Sequence, residues 1–144
     1  MQQFKQAGFT LIEVMVVVII LGILAAVVVP NIMDKPDEAR VTKSKQDIRA
    51  LEEALNRYKL DNYDYPSTEQ GLDALVNKPT GSPEPKRWKG PYVKKVPNDP
   101  WQNTYQYMNP GVHGVIDVFS TGKDVASPED DIGNWNLDED IAIK

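Results

Sequence analysis

Phe9-Thr10-Leu11-Ile12-Glu13-Val14-Met15-Val16-Val17-Val18-Ile19-Ile20-Leu21-Gly22-Ile23-Leu24-Ala25-Ala26-Val27-Val28-Val29 is the stretch whose reading decides how this chain is built. It is apolar almost without break from Leu11, and the chain beyond Pro30 is polar. A helix of about twenty residues rises about 30 Å, enough to cross the hydrocarbon core of a bilayer. Its valines and isoleucines would suit a strand, but strands do not run this long, and in lipid the internal hydrogen bonding of a helix overrides propensity. Glu13 interrupts the run near its start. A carboxylate facing lipid is costly, so such a residue reads as functional by default, although it can also snorkel or take up a proton.

Ahead of the run lies Met1-Gln2-Gln3-Phe4-Lys5-Gln6-Ala7-Gly8, short and polar with one positive charge. A secretory signal would place a small-residue cleavage site after the apolar run. Ala25-Ala26 imitates one, but bulky valines come after it. An uncleaved single-pass anchor is the plain expectation, with Lys5 on the cytoplasmic side.

Composition narrows the rest. A length of 144 residues favours one domain after the anchor, and 41% hydrophobic with 26% charged residues is ordinary. Cysteine is absent, which removes a disulfide framework, a thiolate zinc site and a cysteine nucleophile. The single histidine, His113, removes histidine-cluster metal sites and is expected simply to be exposed between glycines in a turn. A net charge of −5 argues against a nucleic-acid partner. No nucleophile elbow, phosphate-binding glycine loop or catalytic dyad is present, and Asp117 has no acidic partner in sequence, so an enzyme is not expected.

Past Pro30, which should end or kink the apolar helix, Asn31 to Pro36 reads as a bend. A second helix is predicted from Pro36-Asp37-Glu38 to about Leu60, closed by Asp61-Asn62, with Ile48, Leu51, Leu55 and Tyr58 on one buried face. Ser67 and Gln70 match a capping box before a short helix carrying Leu72, Leu75 and Val76. The stretch from Lys78 to Pro91 is an irregular Pro- and Gly-rich loop that Trp88 can pin to the core. Tyr92-Val93 reads as a weak strand and Asn98-Asp99-Pro100-Trp101 as a turn. Thr104 to Met108 and Val115 to Phe119 form a hairpin around Pro110-Gly111 and Gly114, and a last strand includes Trp135. The fold class is α+β: a long N-terminal helix, transmembrane in its first half, packed on a small antiparallel sheet.

Gly8-Phe9-Thr10-Leu11-Ile12-Glu13 resembles the processing site of type IV pilin-like proteins. Tyr58-Lys59-Leu60-Asp61-Asn62, Tyr65-Pro66, Thr68-Glu69-Gln70-Gly71-Leu72, Asp99-Pro100-Trp101 and Asp131-Ile132-Gly133-Asn134-Trp135 are similar to the major pseudopilins of type II secretion systems. The absence of cysteine favours that family over type IV pilins for adhesion or motility, many of which carry a C-terminal disulfide.

The resemblance implies a leader peptide at 1–8, a transmembrane and filament-core helix at 9–30, and a periplasmic pseudopilin domain at 31–144. It implies cleavage between Gly8 and Phe9 by a prepilin peptidase, N-methylation of Phe9, and an assembly role for Glu13. A buried ion pair between Glu13 and a neighbour's amino terminus would serve as a register device. It further implies an inner-membrane subunit that polymerises with copies of itself into a helical periplasmic filament. The partners would be minor pseudopilins and an inner-membrane assembly platform, and the filament would drive folded proteins through an outer-membrane secretin.

The loop from Ser120 to Asp131 gathers carboxylates with only Lys123 against them. Oxygen donors in a flexible loop suit Ca²⁺, although the spacing is not that of an EF-hand and a solvated acidic loop has the same composition. The resemblance implies a calcium site here on Asp124, Asp130 and Asp131 with a carbonyl near Thr121. Val125 stands where the family commonly has glycine.

Overall fold

The computed structural model describes residues 8–33, 35–139 and 141; the leader up to residue 7, with Lys5, lies outside them. The chain forms two compact units, residues 1–36 and 37–144. The first carries helix α1, Leu11–Met33. Its start is set by a capping box: the Glu13 N–H donates to Thr10 Oγ1 at 3.3 Å, and the Thr10 N–H donates to Glu13 Oε2 at 2.7 Å. Side chains 11–26 are all exposed, from Leu11 at 80% to Val16 at 49%.

Of the two outcomes expected at Pro30, an end or a kink, the end is not seen, and the helix continues to Met33. A proline deletes one N–H and crowds one turn, which is not enough to end a long helix. Among the described residues no helix is long and apolar enough to cross a membrane; the spanning expectation for 9–30 rests on the apolar sequence that runs on to Val29.

The second unit is built on helix α2, Lys35–Asn62, with Asp37 and Glu38 at the positive end of its dipole. The predicted stripe is buried: Ile48, Leu51, Leu55 and Tyr58, joined by Val41, Ser44 and Ala54. Asn62 closes the helix from inside its last turn, its side-chain amide donating to the Tyr58 carbonyl at 3.0 Å. The reciprocal bonds expected of Ser67 and Gln70 form, with N–H donations of 3.0 and 3.2 Å in the two directions, but they close the 67–71 turn, and the short helix after it starts from Gly71 with no side-chain cap. A 3₁₀ turn, Leu72–Leu75, comes next and buries Leu72, Ala74 and Leu75.

Trp88 pins the proline-rich loop, its indole N–H donating to the Ala74 carbonyl at 2.9 Å. Tyr92-Val93 is not a strand. Its N–H groups turn instead to the Leu75 carbonyl at 2.7 and 3.4 Å, so a helical turn takes the bonding a neighbouring strand would have supplied.

The sheet has strands β1 (Gln106–Met108), β2 (Asp117–Ser120) and β3 (Ile132–Gly133), all antiparallel in that order. Tyr107 lies opposite Val118, and Ser120 opposite Ile132. Both hairpin strands begin two residues later than expected. Thr104 makes only a bridge to Asn98, and the Val115 carbonyl is held inside the hairpin loop by the Gly111 N–H at 3.1 Å.

The last strand stops before Trp135, because that ring folds back over Gly133. A Cβ on Gly133 would sit 2.2 Å from the indole, so only glycine leaves room. One core joins the α2 stripe, Leu72 and Leu75 to Tyr107, Val118 and Ile132.

Candidate functional site

The amino-terminal group lies on the first turn of α1. Gly8 is exposed and Phe9 is 87% exposed, so the peptide between them is open to solvent. Glu13 turns its carboxylate back along the helix, where Oε2 accepts from the Thr10 N–H at 2.7 Å and from the Thr10 hydroxyl at 2.9 Å. A negative charge is thus held at the positive end of a helix dipole, within a turn of the residue that cleavage would make the new amino terminus.

The second group lies between β2 and β3. Asp124 is exposed and occupied locally, its Oδ1 accepting the Ala126 N–H at 3.0 Å. A short 3₁₀ turn, Pro128–Asp130, delivers Asp130 into a buried position beside half-buried Asp131. Burial first, and the neighbouring Asp130 charge second, push the Asp131 carboxyl above the ordinary range. Asp131 thus lies within the field of its neighbour Asp130, while Asp124 is engaged in its own turn. Among the described residues no three metal-ligating side chains assemble.

The donor chemistry still fits a hard cation. The loop offers carboxylate oxygens, the donor type that Ca²⁺ takes together with carbonyls and water.

The structure adds buried polar groups that the sequence reading missed. Asp117 is 1% exposed and accepts the N–H groups of Val112 at 2.8 Å, His113 at 3.1 Å and Gly114 at 3.2 Å. His113 is not merely an exposed turn residue. Its Nδ1 lies 3.0 Å from Asp117 Oδ2, and its ring stacks on Trp135 with centroids 3.8 Å apart. Burial raises the Asp117 carboxyl, but the donors from His113 and Val112 outweigh it and hold the carboxyl below its usual value.

Asn134 acts as a strand extension. Its Oδ1 accepts the Val118 N–H at 3.1 Å, and its amide donates to the Ile116 carbonyl at 3.0 Å. Asp99, also 1% exposed, binds the N–H groups of Trp101 and Asn103 and the Ser120 hydroxyl. Aspartate just before a proline turn, and aspartate at the foot of a glycine-flanked hairpin, were the sequence signals for two of these.

An apolar helix opened by Gly8-Phe9-Thr10 and Glu13, ahead of a helix-on-sheet unit, defines a type IV pilin-like subunit. Residues 3–29 match the prokaryotic N-terminal methylation motif, and residues 31–135 match the family described as type II secretion system (T2SS), protein G. The chain belongs to that family.

It is 60% identical to the type II secretion system core protein G of Pseudomonas aeruginosa, over 94% of this chain and 99% of that one. It is equally 60% identical to the protein of the same name from Aeromonas hydrophila, over 95% and 97%. The crystal structure of the major pseudopilin from the type 2 secretion system of enterohaemorrhagic Escherichia coli is similar at a TM-score of 0.67 and 50% identity. That likeness covers 75% of this chain and 96% of the other.

Proposed function

We propose that this chain is the structural subunit that polymerises into the pseudopilus of a type II secretion system, acting by assembly and not by catalysis. The observation that carries the reading is a helix whose described side chains are almost all apolar and all exposed, led by one carboxylate. Apolar surface of that extent requires lipid or neighbouring copies to cover it. Before assembly, residues 9–30 lie in the inner membrane, with the leader on the cytoplasmic side and residues 31–144 periplasmic. In the filament the same surface packs against other copies.

Glu13 is already drawn to the amino-terminal end of α1 by Thr10. Cleavage at Gly8–Phe9 would place a cationic amine next to it, and a neighbour's amine can take the same carboxylate during stacking. A prepilin peptidase would make the cut. Minor pseudopilins and an inner-membrane assembly platform would start and drive growth, and the lengthening filament would push folded substrates toward the secretin. Asp124, Asp130, Asp131 and the Thr121 carbonyl would hold Ca²⁺, whose charge relieves the repulsion between the paired acids and orders the loop.

Mass and amino-terminal sequence analysis of assembled protein from its native membrane tests the reading. The expected result is a chain that begins at methylated Phe9 and lacks Lys5; retention of Met1 in assembled material overturns it.

A further inference from the structure

Asp99 lies 21 positions before Ser120 in sequence, yet the two meet at 2.5 Å in the interior. Nothing about a buried carboxylate bonded only to neutral donors is favourable for its own sake, since desolvating the charge is costly. What it supplies is direction. A carboxylate can only accept, so the Ser120 hydroxyl must donate to it, and the lone pairs of that hydroxyl are left for another donor. The donor is the Gly122 N–H, at 3.1 Å. The Gly122 carbonyl accepts from the Asn103 side-chain amide at 3.4 Å, and Asn103 itself donates its backbone N–H to Asp99 Oδ1 at 2.8 Å. Both backbone groups of Gly122 are thereby tied to the 99–103 turn.

Gly122 in turn touches the acidic pair. It sits at φ +64°, and a Cβ there would stand 2.5 Å from the Asp130 carbonyl oxygen and 2.9 Å from the Asp130 Cβ. The start of the loop is thus packed directly on the residue that delivers a buried carboxylate at its end. We infer that Asp99 and Ser120 are positioning residues. Through Gly122 they hold Asp130 where the 121–131 loop needs it to take a cation, so that binding does not have to organise that end of the loop. The inference rests on the calcium reading of the loop for its ligand, and on hydrogen bonding alone for its geometry.

Full-length protein in detergent micelles is titrated with Ca²⁺ by calorimetry well below its melting temperature. Hydrogen exchange at the Gly122 amide is followed in chelator. Ser120→Ala is expected to weaken calcium binding about tenfold and to speed Gly122 exchange at least tenfold, because the amide loses its acceptor. Asp99→Asn keeps the shape but can present an NH₂ to the hydroxyl, and is expected to do the same. The double variant should be no weaker than the worse single, as for groups acting in series.

A merely structural role lowers the melting temperature and speeds Gly122 exchange while leaving calcium affinity as in the parent, and that result overturns the inference. Should Asp99→Asn fail to fold, Ser120→Ala decides. Should the parent itself take no calcium, the metal reading falls. The positioning role falls with it, and the exchange arm then reports only on the hydrogen bonds from Asp99 through Ser120 to Gly122, which unchanged Gly122 exchange in Ser120→Ala would deny.

Discussion

Asp117 shows at the residue scale how a hairpin loop is held without a strand partner. Its buried carboxylate gathers the three consecutive N–H groups of residues 112–114, which no strand could serve in that turn. Removing the acceptor leaves those donors without their partner, a loss on the order of 1–3 kcal/mol. Asp117→Ala is therefore expected to lower unfolding free energy by about 2 kcal/mol in urea titrations at neutral pH. The depressed carboxyl sets the sign of the pH dependence. Stability from an acid whose folded pKa is lowered is present above its unfolded value of about 3.9 and is lost as pH falls through the folded one. Between neutral pH and about 3, the parent should lose more stability than Asp117→Asn; equal losses would show that the carboxylate charge is not used. Asp131 has the opposite sign. Its raised carboxyl is a liability at neutral pH, relieved by protonation or by a cation.

At the element scale, α2 shows how little of a helix carries the fold. Leu55 is fully buried in the core, whereas Leu60, five residues on, is 79% exposed. Leu55→Ala is expected to cost about 2–5 kcal/mol, from lost transfer energy plus a cavity. Leu60→Ala should change stability by roughly 0.5 kcal/mol or less. Thermal unfolding of both variants checks the pair, and similar losses would mean that Leu60 is covered in the folded chain. The short strands obey a different rule. With two to four residues each they hold because Asn134 extends the β2 edge with its side chain and Trp135 covers Gly133, and neither device shows as alternation in the sequence.

For the whole molecule, the described core lies entirely within residues 41–141, so the second unit owes its packing to itself. Glu13→Ala should accordingly leave the melting temperature unchanged while stopping filament growth. Normal numbers of filaments by electron microscopy, with normal secretion, would remove Glu13 from assembly. The proposed calcium ion would act on the other unit. An ion that binds only the folded state stabilises it by about 2.7 kcal/mol at a hundredfold excess over its dissociation constant. Calcium should raise the melting temperature relative to chelator, magnesium should do so much less, and Asp124→Ala should abolish the shift. Superimposed melting curves in calcium and chelator would leave the loop as solvated surface.

The sequence by itself determined the apolar helix, the buried stripe of α2, the reciprocal Ser67–Gln70 bonds and the processing pattern around Gly8-Phe9, because each is written in residues within a few positions of one another. Periodicity and local hydrogen bonding need no tertiary information. The strand limits, the failure of Tyr92-Val93 to pair, the stacking of His113 on Trp135 and the Asp99–Ser120–Gly122 chain were decided only by the tertiary structure. Each joins residues far apart in sequence or depends on which of several available acceptors lies nearest once the core has closed. The acidic loop falls between the two. Its carboxylates could be counted in the sequence, but that Asp130 is buried beside half-buried Asp131 while Asp124 is held in its own turn is a matter of backbone geometry, which composition does not encode.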